Sequence, residues 1–259
     1  MNYDRETLNK DYFEVIDTEN KAYFLGLLFA DGSVTIPKGN RQKVISLSLQ
    51  EDDSEVVTLL NKEITPYKKM TIQRPPSIIK RGWKARATFS VGCDKLVNDL
   101  MNHGCINNKT TLGLGIPNLK TPFLKHFIRG YFDGNGGLSV KITKNTYKRV
   151  SNNNIKSPFK ENKLRGSLYF CSTDLDFLNY IKNILNSSCK IIGTVQLYDK
   201  KTLNCLTRQI RYEHKEDIKE IFNYLYKDSK VFLKRKNEKF KMLIKSEAIN
   251  TFIERLETT

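Results

Sequence analysis

Two stretches of this chain repeat each other 104 residues apart (Gly32 to Gly136), and such a repeat predicts a fold of two similar halves. The first reads Ala22-Tyr-Phe-Leu-Gly-Leu-Leu-Phe-Ala-Asp-Gly32 and the second His126-Phe-Ile-Arg-Gly-Tyr-Phe-Asp-Gly-Asn-Gly136. Superimposed, Gly26 meets Gly130, Ala30 meets Gly134, Asp31 meets Asn135 and Gly32 meets Gly136. Small residues at i and i+4 share one helix face, so two such helices can approach until their backbones nearly touch. Glycine inside a helix costs about 1 kcal/mol against alanine, an odd choice unless close approach is its purpose. One copy alone reads equally well as an ordinary buried helix with a glycine stop. Two copies with matching small residues and matching ends predict a helix–helix seam that sets Asp31 beside residue 135.

Downstream of these motifs an offset of 121 aligns the halves without gaps: Asp53 meets Asp174, Glu55 meets Asp176, Val57 meets Leu178 and Leu60 meets Ile181. Asn102/Asn223, Lys109/Lys230 and Leu112/Leu233 are identical at that offset. The change from 104 to 121 places 17 extra residues in the second half, and the Lys-, Asn- and Ser-rich stretch 141–162 reads as a long hairpin loop that holds them. Alternating or β-rich runs predict strands at 44–49, 70–73 and 86–91, matched by 167–171, 191–197 and 206–212. Helices are expected at 54–64 and 95–102, matched by 175–185 and 216–226. The order is αββαββα in each half, an α+β fold with antiparallel sheets and a central two-helix interface on a pseudo-twofold axis. Residues 1–112 form the first unit, 113–122 a Gly- and Pro-punctuated linker, and 123–259 the second unit. A terminal amphipathic helix over 238–256 presents Phe240, Leu243, Ile244, Phe252 and Leu256 on its apolar side.

The two motifs resemble the LAGLIDADG homing endonucleases in their single-chain, two-motif form. The nine-residue signature maps onto Phe24–Gly32 and Ile128–Gly136. The resemblance implies two sheets forming a saddle over double-stranded DNA, an acid ending each motif helix, and a basic residue near each active site. It also implies that each motif acid serves chiefly one strand.

Forty-four Lys and Arg against 28 Asp and Glu leave a net charge of +16, which favours a polyanionic partner. AT-rich coding also enriches Lys and Asn, so placement matters more than the total. Lys38, Arg41, Lys43, Arg74, Arg81, Lys84 and Arg86 fall on the strands and turns of the first unit. Lys141, Lys144, Lys148, Arg149, Lys200, Arg208 and Arg211 fall on those of the second, so two basic surfaces can track a phosphate backbone. Five cysteines without a CxxC argue against disulfides and a zinc site, and suit a reducing intracellular compartment, cytoplasm or organelle matrix. No signal peptide and no membrane-spanning run is read, and with both halves on one chain a monomer is expected. Three scattered histidines fit neither an HNH nor a zinc-dependent nuclease, and no GxxxxGK[ST] loop is present. The ends, Met1 and Glu-Thr-Thr259, lack splice-junction residues, which disfavours an intein.

Phosphodiester hydrolysis needs a positioned water and a cation to neutralise developing charge, and Mg²⁺ takes one or two carboxylates plus waters and phosphate oxygens. Asp31 is the foremost catalytic and metal-binding candidate, with Asn135 as its partner and Mg²⁺ or another divalent metal as cofactor. Gln50, at a strand end, is a candidate for orienting water, equally readable as a surface glutamine; its offset partner is Cys171, with Ser172 beside it. Lys109 and Lys230 are the candidates for the charge-stabilising lysines the resemblance implies. Asn135 departs from the family pattern because it removes a negative charge. Asp133 is a poor substitute, two residues and about 200° away around the helix. The function predicted is metal-dependent cleavage of a long duplex site with a weakened second site. The alternative is a DNA-binding regulator or an intron-RNA maturase on the same scaffold.

Overall fold

The computed structural model describes residues 7–39, 41–68, 70–74, 84–107, 113–151, 154–201 and 206–257, with backbone alone for 142–151, 154–164, 200–201 and 246–257. The first unit runs α1 (Glu19–Asp31), β1 (Gly32–Thr35), β2 (Val44–Gln50), a short 3₁₀ turn (Glu51–Asp53), α2 (Ser54–Ile64), β3 (Thr71–Gln73), β4 (Arg86–Gly92) and α3 (Asp94–Asn102). The second runs α4 (Thr121–Asn135), β5 (Gly136–Ser151), β6 (Asn154–Ser172), α5 (Leu175–Ser188), β7 (Gln196–Lys201), β8 (Leu206–Tyr212) and α6 (Lys215–Tyr226), and α7 (Lys234–Glu257) closes the chain. Each unit is αββαββα. The antiparallel sheets have equivalent strand orders, β1-β2-β4-β3 and β5-β6-β8-β7.

Helix α1 starts where the Thr18 side chain accepts a bond from Lys21 N, and it is buried at every position from Ala22 to Ala30. A helix buried all round has no solvent face, and the partner that covers it is α4. The two cross at their glycines. A Cβ on Gly26 would fall on the Phe127 carbonyl and 2.9 Å from Tyr131 N; one on Gly130 would fall on the Tyr23 carbonyl and 2.9 Å from Leu27 N. Tyr23/Phe127, Leu27/Tyr131 and Gly26/Gly130 are all pairs at the 104-residue offset, so the contact is reciprocal about a pseudo-twofold axis. Around this seam lies one continuous core that includes residues of both units.

The sheets turn one face to that core. Ile45, Leu47 and Leu49 of β2 with Ala87, Phe89 and Val91 of β4 point inward in the first; Leu168, Phe170, Ile210 and Tyr212 do so in the second. The opposite face of the first sheet is polar, with Ser48 bonded to Thr88 at 2.9 Å and Arg86 bonded to Ser48. Among the described residues, no helix is long and apolar enough to cross a membrane.

Several sequence expectations change. Residues 141–162 are not a loop: β5 and β6 pair out to Ser151 and Asn154, with one irregularity between Tyr147 and Arg149. The β-branched and aromatic residues Ile142, Thr143, Thr146, Tyr147, Val150, Ile155 and Phe159 favour extended chain over the turn signals of Asn and Ser. The strand expected at 191–197 lies at Gln196–Lys201, because the Asp217 carboxylate accepts the N–H groups of Ile192 and Gly193 and holds that stretch as a turn. Helix α4 starts at Thr121, inside the expected linker, and 113–120 have no regular structure. The terminal helix starts at Lys234 rather than 238, with Phe240 and Leu243 buried as read. The gapless 121 offset also fails locally. Gly32 pairs with Leu47 and Gly136 with Phe170, so β2 and β6 correspond at 123, and the counterpart of Gln50 is Thr173 rather than Cys171. The 3₁₀ turn Glu51–Asp53 supplies residues that the second unit lacks at this corner.

Candidate active site

Helices α1 and α4 end side by side. A Cβ on Gly134 would meet the Ala30 Cβ and lie 3.2 Å from Asp31 Oδ2, and Asn135 Nδ2 lies 3.5 Å from the Ala30 carbonyl. Asp31 is exposed and Asn135 is half-buried. Neither helix has a basic residue in its last turn, so two negative helix ends converge beside the Asp31 carboxylate. An acid at a helix C-terminus opposes the helix dipole, so this placement does not help the helix; it concentrates negative potential that a cation would relieve. Among the described residues, no group of three or more His, Cys, Asp or Glu gathers in a metal-ligand cluster. One carboxylate with amide and phosphate oxygens is still a donor set that suits Mg²⁺.

The end of α4 differs from that of α1. Lys236, from α7, donates to the carbonyls of Phe132 and Gly136 at 2.6 Å each. Burial pulls its pKa down to about 8, while the Asp133, Asp31 and Asp53 carboxylates pull it upward. The sequence reading missed this residue. Its offset counterpart is Gly115, so the repeat could not reveal it, and the terminal helix was expected to start beyond it. The run Lys234-Arg235-Lys236 was the available signal.

Asp133 is fully buried, accepting from Tyr23 Oη (2.9 Å), Tyr226 Oη (2.6 Å) and Leu233 N (2.8 Å), and burial raises its pKa. Its bonds run to Tyr23, Tyr226 and Leu233, and its charge also acts on Lys236. Tyr131 Oη donates to the Cys171 carbonyl at 2.7 Å, with Ser172 and Asn135 beside it. Gln50 is exposed, on the polar face with Ser46 and Ser48, and its strand runs past the level of Gly32. Lys230 is not at this site. Its N–H donates to Glu19 Oε1 at 2.7 Å, and Glu19 starts the helix that Asp31 ends, about 18 Å away at 1.5 Å per residue. Lys109 and Arg81 lie outside the described residues.

At the Glu19 end the helices are locked by charge. Arg129 is fully buried, donating to Glu19 Oε1 (2.7 Å), His126 Nδ1 (2.8 Å), the Leu225 carbonyl (3.0 Å) and the Val231 carbonyl (2.9 Å). Burial, then the Arg129 charge, holds the His126 pKa down to about 4, so its Nδ1 stays an acceptor. Burial alone would raise the Glu19 carboxyl, but the Lys230 N–H and the Arg129 charge hold it below its ordinary value.

The basic candidates divide between the faces. Lys141 and Arg211 line a cleft of about 460 Å³ on the open face of the second sheet, with Arg165, Tyr169 and Gln209. The Arg211 guanidinium lies between the Tyr198 ring (4.4 Å) and the Tyr169 ring (5.7 Å). Arg208 donates to the Thr173 carbonyl at 2.7 Å. Arg74 and Lys84 pair with Glu51 and Asp52, and Lys38 and Arg41 are exposed between β1 and β2. Lys43 is a correction: it shares the parity of Ile45 and reaches Asn98 of α3 at 2.6 Å, on the helix-covered side. For Lys144, Lys148, Arg149 and Lys200 only the strand backbone is described.

The sequence matches no family model and no curated protein. Solved structures do match across nearly the whole chain. I-LtrWI, a LAGLIDADG homing endonuclease bound to target DNA, superposes with a TM-score of 0.55 over 95% of this chain and 97% of its own, at 14% identity. This is the LAGLIDADG homing endonuclease fold. The I-SmaMI LAGLIDADG homing endonuclease bound to cleaved DNA gives a TM-score of 0.59 at 10% identity, covering 93% and 92%. The LAGLIDADG meganuclease I-AabMI bound to uncleaved DNA gives 0.55 at 10%, covering 88% and 90%. In the LAGLIDADG fold of this chain, the two signature stretches are the seam helices α1 and α4.

Proposed function

We propose that the chain is a metal-dependent endonuclease that cuts within a long double-stranded DNA site, with its first site intact and its second weakened. The observation that carries the reading is the convergence of two helix ends on the Asp31 carboxylate, between two sheets that bear basic residues. Asp31 would hold the divalent cation, with Asn135 offering a neutral oxygen. When bound, the cation neutralises charge developing on the scissile phosphate and lowers the pKa of attacking water. Gln50 is the polar side chain available to orient that water. At the end of α4 a lysine already meets the carbonyls and the carboxylate is absent, so the second position attracts a cation less.

Asn135 and Lys236 favour a second reading, a binding protein on the same scaffold that acts as a DNA-binding regulator or an intron-RNA splicing cofactor. Incubating supercoiled plasmid carrying the native locus with Mg²⁺ separates the two. Cleavage that Asp31→Ala abolishes while duplex binding persists supports the nuclease. Binding without nicking in the unaltered chain supports the binder.

A further inference from the structure

The seam between α1 and α4 is reciprocal in backbone but not in side chains. On one side of its axis Glu19 and Tyr23, one turn apart on α1, meet Arg129 and Asp133, one turn apart on α4. Arg129 donates to Glu19 at 2.7 Å and Tyr23 donates to Asp133 at 2.9 Å, and both Arg129 and Asp133 are fully buried. At the 104-residue offset Arg129 corresponds to Leu25, Asp133 to Phe29, Tyr23 to Phe127 and Glu19 to Phe123. The other side of the axis is therefore apolar, and there the Phe29 and Phe127 rings meet edge to face at 5.1 Å.

This asymmetry decides which helices can pair. Glycine alone would let either helix pack on a second copy of itself, because Gly26 and Gly130 are equivalent. In an α4–α4 pair, Arg129 would face Phe123 and Asp133 would face Phe127. Arg129 would keep His126 and the carbonyls of Leu225 and Val231, which its own unit supplies, but would have no acid across the seam. Asp133 would lose one of its two tyrosines. In an α1–α1 pair, Glu19 would face Leu25. It would lose Arg129 together with the N–H groups of Lys230 and Val231, all of which belong to the second unit. A buried charge stripped of its partner disfavours each wrong pairing by at least about 100-fold.

We propose that the Glu19–Arg129 contact, supported by Tyr23–Asp133, is a pairing code that admits α1 only against α4 and shuts out a second copy of the chain. Two copies joined through like helices would otherwise satisfy both seams. The tether through 113–120 opposes that only up to an effective concentration of about a millimolar. Under the nuclease reading the code also keeps Asp31 beside Asn135 and prevents two Asp31 carboxylates from meeting. The pairing itself rests on the fold and needs no DNA. The test refolds the full chain from urea at about 0.1 mM, a tenth of that effective concentration, as a mixture of isotopically labelled and unlabelled copies. An amine-reactive cross-linker then reports on Lys21 and Lys125, which are equivalent at the offset. Like-helix assembly joins Lys21 to Lys21 or Lys125 to Lys125 between copies, whereas exchange of whole units joins Lys21 to Lys125. The unaltered chain should sediment as a monomer and give neither like link. Glu19→Phe with Arg129→Leu gives each position its repeat counterpart's side chain, and should raise the like links at least about 100-fold. If that variant melts without a cooperative transition, Glu19→Gln, which keeps the shape and removes the charge, should still raise them about tenfold. A folded variant whose like links stay at the unaltered level would overturn the code. So would like links in the unaltered chain, or variant dimers joined only from Lys21 to Lys125. Failure to cut or bind DNA would overturn the nuclease reading and leave the pairing result standing.

Discussion

At the scale of single residues, the site turns on one charge present and one absent. Asparagine at 135 keeps an oxygen but lacks the carboxylate charge. If that charge is worth about 3 kcal/mol in the transition state, the dependent step is slowed roughly 150-fold. End-labelled duplex should therefore show strand-biased nicking, and Asn135→Asp should restore cutting of the slower strand. Equal fast cleavage of both strands by the unaltered chain would remove residue 135 from the chemistry. His126 makes a second prediction. Its folded pKa of about 4 lies below its ordinary 6.5, so the unfolded chain takes up the proton first, and stability is lost as pH falls between those values. Glu19, with its lowered pKa, loses its contribution further down. In His126→Gln the histidine part of that loss disappears, so the urea-midpoint gap between the two proteins should narrow from pH 7 to pH 4.5.

At the scale of elements, α1 and α4 act as one unit because glycine permits backbone contact in both directions. Gly130→Ala would drive a methyl into the Tyr23 carbonyl, where main chain rather than a flexible side chain must move. We expect a loss of about 3 kcal/mol, the upper end of overpacking costs, read from denaturant midpoints. Gly166→Ala meets only the ends of the Leu243 and Ile218 side chains and should cost visibly less. A smaller effect at Gly130 than at Gly166 would contradict the seam.

For the whole molecule, the second unit's last helix is tied to the first unit. Arg235 donates to both oxygens of the buried Asp53 at 3.1 and 2.9 Å, and Lys234 pairs with Glu55. At the 121 offset Arg235 corresponds to Leu114, whose N–H bonds Asp174 at 2.7 Å, so each unit's closing segment reaches the equivalent aspartate of the other. Arg235→Ala should cost about 2 kcal/mol, less than a fully buried pair because Arg235 is half exposed and water can partly replace it. Thermal melting checks the value, and an unchanged midpoint would mean the tie contributes nothing. DNA affinity is a property of the whole surface as well. Arg211→Ala, on the open face of the second sheet, should weaken duplex binding more than Lys239→Ala on α7, and equal effects would point to nonspecific charge.

The repeat, the helix and strand order, the glycine seam and the pairing of Asp31 with residue 135 were all legible in the chain. They depend on periodicity and on small residues at fixed spacing, and those are local. Helix α2 and strand β8 fall where the hydrophobic pattern put them, because their buried faces are set by alternation within a few residues. What the tertiary structure decided involves partners far apart in sequence. Lys236 reaches α4 because the start of α7 is anchored by Asp53, which no pattern near residue 236 records. Lys230 matched its repeat partner in sequence but lies at the Glu19 end of α1, because position along a helix is a length in space that residue identity does not carry. Stretch 141–162 looked like a loop in its polar composition, yet it is a ribbon because the sheet it extends supplies the pairing. Local patterning specified the elements; which charges meet at the helix ends was settled only when α7 packed across the seam.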